Sequence, residues 1–488
     1  MKTLPAGWSL ARMGDLIELN PKVDAPDSTL AGFTPMQGLG TRYSESLKFE
    51  ARPWGAIKKA YTHFADGDVL LAKITPCFEN GKAGLAAGLP SGIGAGSSEF
   101  FVCRPDQRVL DRGYLLAWLS CDDFRSRAAV NMSGSVGHKR VPKDFLLDEE
   151  LPLAPIAEQA RLVAKLHAMF PRVDACRDRL ARVAPLLKRF RQSVLAAATS
   201  GQLTEEWRAD GSTESGADLL TELQNDHARS GGHARGNASE PTEEAHDLDT
   251  SELPGSSAIA TLLDLCEPGR PITYGILKPG PELDAGVPYV RVADFPGNRL
   301  RLDSIKKTSP EIDEQFKRAR LRPGDLLLSI RGSVGRIIEI PGLLANANIT
   351  QDTARLSISA RVSRRFVLLA ILDEGAQRRM RAATRGVAVR GINIGDVRAL
   401  QIPLPPLAEQ AEIVRRVEVL FAFADRLEAR LVKAQAAADR LTPALLAKAF
   451  RGELVPQDPA DEPAAELLKR LTAGRQAPAA KVRRPRTA

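Results

Sequence analysis

The stretch Leu151-Pro-Leu-Ala-Pro-Ile-Ala-Glu-Gln159 returns 251 residues later as Ile402-Pro-Leu-Pro-Pro-Leu-Ala-Glu-Gln410. The offset holds without a gap to residues 204 and 455, and 18 of the 54 aligned positions are identical, far more than chance gives. Upstream the match continues with small shifts. Gly67-Asp-Val-Leu-Leu-Ala72 answers to Gly324-Asp-Leu-Leu-Leu-Ser329, Tyr114-Leu-Leu-Ala117 resembles Phe366-Val-Leu-Leu-Ala370, and residues 133–141 occupy the place of 384–392. Leu4-Pro5 corresponds to Leu253-Pro254. The chain is two copies of one unit, each a mixed globular part followed by a long helix. A period this long is no solenoid repeat; it implies duplicated domains in a pseudo-twofold arrangement.

Each helix opens after prolines, which disfavour helix before them and preset the first turn. Apolar residues then recur at spacings of three and four: Ile156, Val163, Leu166, Phe170, Val173, Leu180, Ala184, Leu187 and Val194, then Leu407, Val414, Val417, Phe421, Ala424, Leu431, Ala438 and Leu445. This is the coiled-coil period, interrupted at Arg177, Arg191, Glu428 and Gln435. We take Ile156, Val163, Phe170, Leu180, Leu187, Leu407, Val414, Phe421, Leu431 and Leu445 as the coiled-coil and partner-facing positions. Gly201 and Gly452 fit helix C-termini. About 40 residues at ~1.5 Å each give roughly 60 Å of helix. Pro171, Pro185 and Pro443 fall inside these spans, and each is expected to kink or break its helix.

With 488 residues, 43% hydrophobic and 26% charged, the chain has the composition of a soluble globular protein of two or three domains. It shows neither an apolar run of membrane-spanning length nor a signal-peptide layout, which leads us to expect a cytoplasmic protein. The five cysteines form no C-x-x-C pair, so reduced buried thiols are expected instead of disulfides or a zinc site. The net charge of +8 is uneven: zero over 1–150, +6 over 151–204, −10 over 205–252 and +8 over 253–401. A basic body suits a polyanion, because neutralising phosphates releases counterions. The acidic stretch 205–252, rich in Gly and Ser and carrying His227, His233 and His246, reads as a flexible linker with solvated histidines. The tail from residue 456 is expected to fray after a short helix around 464–471.

The globular parts carry strand-like runs at 69–74, 100–104, 326–330 and 354–358, with helices near 113–129 and 364–383. The fold class is α+β in each copy. The tryptophans Trp8, Trp54 and Trp118 read as core. Two loops per copy set basic or polar side chains beside glycine. Arg331-Gly-Ser-Val-Gly-Arg336 is matched by residues 73–82, and Ser133-Gly-Ser-Val-Gly-His-Lys-Arg140 by Arg385-Gly-Val-Ala-Val-Arg-Gly-Ile-Asn393. Glycine lets backbone N–H groups approach phosphate, and arginine can grip a guanine edge with two hydrogen bonds. A tight turn alone also explains such glycines; it is their recurrence at equivalent places in a basic chain that makes DNA contact the better reading. The candidate DNA-binding residues are Lys73, Lys82, Ser135, Lys139, Arg140, Arg331, Ser333, Arg336, Arg390 and Asn393. Lys58-Lys59 and Lys306-Lys307 read as solvated surface, and the recurring Asp68 and Asp325 as turn residues.

No catalytic motif emerges: there is no Walker A sequence, no Asn-Pro-Pro-aromatic box and no H-E-x-x-H, and no catalytic or metal-binding residues are assigned. At this point the pattern resembles the specificity subunit of type I restriction-modification systems, over about 1–455. The most specific similarities are the two Pro-x-x-Glu-Gln helix openings, Leu186-Leu-Lys-Arg-Phe-Arg-Gln-Ser-Val-Leu-Ala-Ala-Ala198, Ser200-Gly-Gln-Leu-Thr204, Gly286-Val-Pro-Tyr-Val-Arg-Val-Ala-Asp294 and Gly324-Asp-Leu-Leu-Leu-Ser-Ile-Arg-Gly-Ser-Val-Gly335. One departure is that the counterpart of 331–336 in the first copy contains Ile74-Thr-Pro-Cys-Phe78.

The resemblance implies two target-recognition domains, 1–150 and 253–401, each reading half of a split, asymmetric site in double-stranded DNA. It implies that the helical regions 151–204 and 402–455 form an antiparallel coiled coil between them, with 205–252 as linker and 456–488 as tail. It further implies two modification (methyltransferase) subunits using S-adenosylmethionine, and restriction subunits with ATP- and magnesium-dependent translocase and nuclease activity. The chain itself would be non-catalytic, hold no cofactor and have no membrane partner. Two alternatives stay open on the residues alone: a coiled-coil scaffold without DNA readout, and a stand-alone nuclease or methyltransferase with an unrecognised site.

Overall fold

The computed structural model describes residues 4–135, 137–209, 214–230, 248, 251, 253–386 and 390–476. Two compact units result: unit 1 comprises 1–182 with 431–488, unit 2 comprises 183–430. Unit 1 holds β1 (Ser9–Arg12), β2 (Ile17–Leu19), β3 (Leu30–Thr34), β4 (Glu50–Pro53), β5 (Thr62–Ala65), β6 (Val69–Ala72), β7 (Ala83–Leu85), β8 (Ile93–Gly96), β9 (Phe100–Pro105) and β10 (Glu150–Leu153). Unit 2 holds β11 (Ala258–Thr261), β12 (Thr273–Tyr274), β13 (Val287–Val290), β14 (Lys306–Thr308), β15 (Leu326–Ser329), β16 (Ile337–Glu339), β17 (Asn348–Ile349), β18 (Thr353–Leu356) and β19 (Gln401–Leu404).

The duplication seen in sequence is a duplication of topology. The sheet β2-β9-β6-β7 has its counterpart in β12-β18-β15-β16, the group β4-β3-β8 in β14-β13-β17, and the pair β1·β10 in β11·β19. The pairs β3·β8 and β13·β17 are parallel; the rest of these pairings are antiparallel. The central strands β6 and β15 are wholly apolar or small and wholly buried, as short runs bounded by turns should be. Trp8, Trp54 and Trp118 are core residues, as expected. Each expected helix after β9 or β18 is in fact two, Arg112–Leu119 with Asp122–Val130 and Arg364–Leu372 with Glu374–Ala382. The second break has a clear cause: the Asp373 side chain accepts from the Gly375 N–H and caps a new helix.

Asp68 and Asp325 do more than turn the chain. Both are buried, and each grips an arginine fork: Arg104 Nε and Nη2 at 2.8 Å each, and Arg270 Nη1 and Nη2 at 3.0 Å each. The arginine comes from β9 in one unit and from the segment before β12 in the other.

The recurring Glu-Gln pair locks helix to domain. Glu158, Gln159, Glu409 and Gln410 are all buried. Gln159 Oε1 accepts from the Asp111 N–H at 2.8 Å, and its Nε2 donates to the carbonyls of Val109 and Ala154 at 2.9 and 2.8 Å. Gln410 repeats this on the Ser363 N–H at 2.9 Å and the Pro405 carbonyl at 2.8 Å. Asp111 and Ser363 are themselves N-caps of the helices beginning at Arg112 and Arg364. Glu158 accepts from Trp8 Nε1 at 3.0 Å, while Glu409 accepts from Thr204 Oγ1 at 2.7 Å and from Arg208.

The long helices Ile156–Thr199 and Leu407–Ala449 are unbroken, so the expected breaks at Pro171, Pro185 and Pro443 do not occur. They run antiparallel within each unit. In unit 1 Arg161 meets Asp461 and Arg177 meets Asp439; in unit 2 Arg191 meets Asp425 and Glu428 while the Leu203 carbonyl accepts from Arg416. Three of the four polar interruptions of the seam, Arg177, Arg191 and Glu428, are therefore members of cross-helix ion pairs. Arg177 also explains Pro443. Proline has no N–H for the carbonyl four residues back, and that carbonyl, on Asp439, accepts from Arg177 Nη2 at 3.0 Å. Along the seam Phe170 and Leu431 are buried; Ile156, Val163, Leu180, Leu187, Val414, Phe421 and Leu445 are half-buried; Leu407 is 45% exposed. Burial peaks one residue away at Leu162, Ile413 and Leu446, because each helix end packs on the globular part of the unit it lies in as well as on its partner helix.

The stretch 205–252 is not wholly a linker. Glu205–Ala209 and Gly216–Arg229 are helical, Leu223 is buried in the unit 2 core, and Glu222 and Asp226 both pair with Arg361 at 2.8 Å. Two of its acids thus help dock the second helix. His227 lies on the second of these helices; His233 and His246 fall outside the described residues. The tail helix is longer than expected, Ala464–Gln476, and buries Ala464, Leu467 and Leu471 in unit 1.

The chain closes on itself in an equivalent way in both units. Gly216 N–H donates to Ser256 O at 2.7 Å, just before β11, and Ala464 N–H donates to Gly7 O at 2.8 Å, just before β1. Gly201 and Gly452 end the long helices with φ of +80° and +68°, and a side chain at either would run into Pro254 or Pro5 respectively. Among the described residues no helix is long and apolar enough to cross a membrane.

Two measurements test this account. Gln410→Ala should leave two backbone groups unpaired in unit 2 and cost about 1–3 kcal/mol for each, read as a lowered urea midpoint. Arg177→Ala should cost about 1 kcal/mol with Pro443 present and markedly less in a Pro443→Ala background, where residue 443 regains its N–H; equal costs in a double-mutant cycle would refute the coupling.

Candidate nucleic-acid interface

In each unit the two glycine-bearing loops meet. In unit 1 the loop after β6 joins residues 133–140 through bridges pairing Ile74 with Arg140 and Ser133 with Arg140, and Thr75 N–H donates to Lys139 O at 3.0 Å. In unit 2 the loop after β15 joins residues 385–393 through bridges pairing Arg331 with Gly391 and Arg385 with Gly391, and Gly332 N–H donates to Arg390 O at 3.0 Å. The residues just before β9 and β18 brace both junctions: Glu99 O accepts from Lys73 N–H at 3.0 Å, and Asp352 O accepts from Ile330 N–H at 2.8 Å.

The same frame carries opposite side chains. Ile74 faces Arg140 across the first bridge, whereas Arg331 faces Gly391 across the second. The arginine at the bridge between the loops thus comes from the second loop in unit 1 and the first loop in unit 2. Gly391 is required by this swap, since a β-carbon there would lie 2.9 Å from Arg331 Cγ and 3.0 Å from Ile330 O.

The candidates differ in how far they are committed to the fold. Arg140 forms a fork on Glu99 through Nε at 2.9 Å and Nη2 at 2.7 Å. Lys73 donates to Ser98 O at 2.8 Å and lies 5.4 Å from the centre of the Phe101 ring. Lys82 turns away from the junction: its Nζ donates to Met36 O and Leu39 O, both at 2.9 Å. Ser135 and Lys139 are exposed. In unit 2, Arg331, Ser333, Arg390 and Asn393 are exposed and Arg336 is half-exposed. Ser333 gives its carbonyl to Ser329 Oγ, which in turn accepts from Arg336 N–H at 2.8 Å. Asn393 precedes the helix Ile394–Ala399 without capping it through its side chain. Among the described residues no acidic side chain lies within ion-pair distance of Arg331, Arg336, Arg385 or Arg390, whereas Arg140 is neutralised. Unit 2 therefore presents cationic and amide groups free to bind an anionic, hydrogen-bonding surface; unit 1 presents mainly Lys139, Ser135 and an already paired arginine.

Sequence reasoning missed Glu99, Gln351 and Arg385. Glu99 lies 41 residues from its partner Arg140, and Gln351 20 residues from Arg331, whose Nη1 donates to its Oε1 at 3.1 Å. The available signal was only position: both are polar residues just before a central strand.

The Arg140 hydrogen bond, with the charges of Arg140, Lys73 and His138, holds the Glu99 carboxyl below the ordinary glutamate range against the opposing effect of burial. A carboxyl depressed in the folded state stabilises it above the unfolded value, roughly pH 4.3, and that contribution is lost as pH falls through the folded value. Carboxyl-carbon NMR of Glu99 should show a midpoint below the ordinary value that returns toward it in Arg140→Ala; an ordinary midpoint in the unsubstituted chain would show that the pair does not form.

A sequence profile described as "Type I restriction modification DNA specificity domain" matches residues 264–434. The specificity subunit of the type I restriction enzyme EcoBI from Escherichia coli is 33% identical over 365 residues, covering 72% of this chain and 70% of that protein. The EcoEI specificity subunit, also from Escherichia coli, is 26% identical over 509 residues, covering 91% and 83%. Among solved structures, a chain of a type I restriction-modification complex aligns with a TM-score of 0.66 at 21% identity, covering 93% of this chain and all of the other. The HsdS subunit of Thermoanaerobacter tengcongensis aligns with a TM-score of 0.56 at 21% identity, covering 93% and 98%. With its duplicated topology, its antiparallel long helices and a relative of this identity and coverage, the chain belongs to the specificity-subunit family of type I restriction-modification systems.

Proposed function

We propose that the chain is the DNA-reading subunit of a type I restriction-modification complex and that each unit reads one half of a split, asymmetric site through its two-loop junction. DNA recognition is the function of the family, and its specificity subunits are non-catalytic. The observation that carries the reading is the recurrence of the junction: two loops from distant sequence meet at the same place on both copies of the fold, exposing Ser135 and Lys139 in one and Arg331, Arg336, Arg390 and Asn393 in the other. Arginine suits guanine O6 and N7, asparagine suits adenine N6 and N7, and lysine suits phosphate. Lys82, held by two carbonyls, is left out of the contact set, and Arg385 joins it.

Forty-four residues at ~1.5 Å each make about 66 Å of helix, the rise of roughly 19 base pairs. Two modification subunits then bring S-adenosylmethionine to an adenine in each half-site, and restriction subunits bring ATP- and magnesium-dependent translocation and cleavage. The complex works in the cytoplasm, where the DNA is.

A methylome of cells expressing the chain with its neighbouring modification subunit tests this. A bipartite asymmetric motif with adenine methylated on both strands is the expected result; no motif from a verified complex would favour a scaffold. On that target, Arg331→Ala or Arg336→Ala should cost about 1–3 kcal/mol at the unit 2 half-site and leave the other half unchanged. Equal weakening on every sequence would assign these arginines to phosphate instead.

A further inference from the structure

Arg331 is exposed, yet it is held. Its Nη1 donates to Gln351 Oε1 at 3.1 Å, and its aliphatic stem lies against Gly391. Its backbone N–H and that of Ile330 both donate to Asp352 O, at 3.3 and 2.8 Å. Gln351 is fixed in turn, its N–H donating to Ile276 O at 2.9 Å. The remaining donors of the guanidinium fork are left to solvent, and no acid among the described residues neutralises them.

A neutral amide does what a carboxylate cannot: it fixes the direction of the guanidinium without cancelling its charge or competing for the rest of the fork. Unit 1 shows the contrast. The residue corresponding to Gln351 there is Ser98, the bridge position of Arg331 is Ile74, and the junction's arginine is neutralised by Glu99. An arginine free to swing reaches phosphate on any sequence, whereas one whose plane is fixed discriminates between base edges.

We propose that Gln351 is a positioning residue that sets base preference in unit 2, aiming the free edge of Arg331 at the O6 and N7 of one guanine. This rests on the DNA-reading function of the junction and names the residue that sharpens it. Gln351 contacts no base itself.

The test uses the full chain in complex with its modification subunit, on duplexes carrying the methylome-defined target with each base pair of both half-sites changed in turn. Gln351→Ala should reduce the preference at a single G·C pair of the unit 2 half-site by about tenfold. Preferences in the other half-site, affinity for unrelated duplex and the salt dependence of binding should stay as they are. Gln351→Glu, which sets a carboxylate against the guanidinium, should lose the same preference and also lower affinity for every duplex with a shallower salt dependence. If Arg331→Ala relaxes one base pair but Gln351→Ala relaxes none, the positioning role is overturned while the DNA-reading function stands. If Gln351→Ala weakens all duplexes alike, its role is structural and the inference is overturned. If Arg331→Ala changes no base preference, the reading of the junction fails, and the inference with it.

Discussion

Much of this structure depends on a buried glutamine amide. Gln159 and Gln410 each leave the first turn of a long helix and take hold of the backbone N–H of a residue that is itself an N-cap in the globular part. A primary amide both donates and accepts, so one side chain pairs that N–H and a carbonyl near the start of its own helix. Buried polar groups tolerate little misalignment, because each bond lost leaves a desolvated partner behind. The helix direction is thereby tied to the domain that bears the loops, and in each unit the residue leading into the strand before the N-cap braces the two-loop junction.

On that shared frame the two copies have diverged where divergence is cheap. The sheets, bridges and caps correspond; the side chains at the junction do not. The exchange of Ile74 and Arg140 for Arg331 and Gly391 keeps one arginine at the bridge between the loops but moves it to the other loop and changes its partner from a carboxylate to an amide. The junction side chains Ser135, Lys139, Arg331 and Arg390 are exposed and the loop backbones are held by bridges, so these side chains can change without loss of core packing. Duplicated folding with unlike surfaces is what reading an asymmetric site requires.

The long helices follow a similar logic of compensation. Their seam is apolar enough to pack, yet the charged positions within it are paired across the helices, Arg177 with Asp439 and Arg191 with Asp425 and Glu428. Arg177 also takes the carbonyl that Pro443 leaves without an N–H, so two residues that look like faults in isolation remove each other's cost.

The sequence by itself determined the duplication, the two long helices, the buried strands beginning at Val69 and Leu326, and the identity of the paired loops, because these rest on local periodicity and on a repeat that any reading of the chain exposes. It also reached most of the exposed candidates, Lys139, Arg331, Arg390 and Asn393 among them, since glycine-flanked basic residues after a strand are visible locally. Tertiary structure alone decided which of those side chains are available. Lys82 is claimed by two carbonyls more than forty residues away and Arg140 by Glu99, whereas Arg331 is held by the neutral Gln351 with the rest of its fork free. It likewise decided that Pro443 does not break its helix and that part of the acidic stretch folds onto Arg361. In every such case the deciding partner is distant in sequence, and hydrogen bonds and ion pairs between distant residues leave no period in the chain from which they could be read.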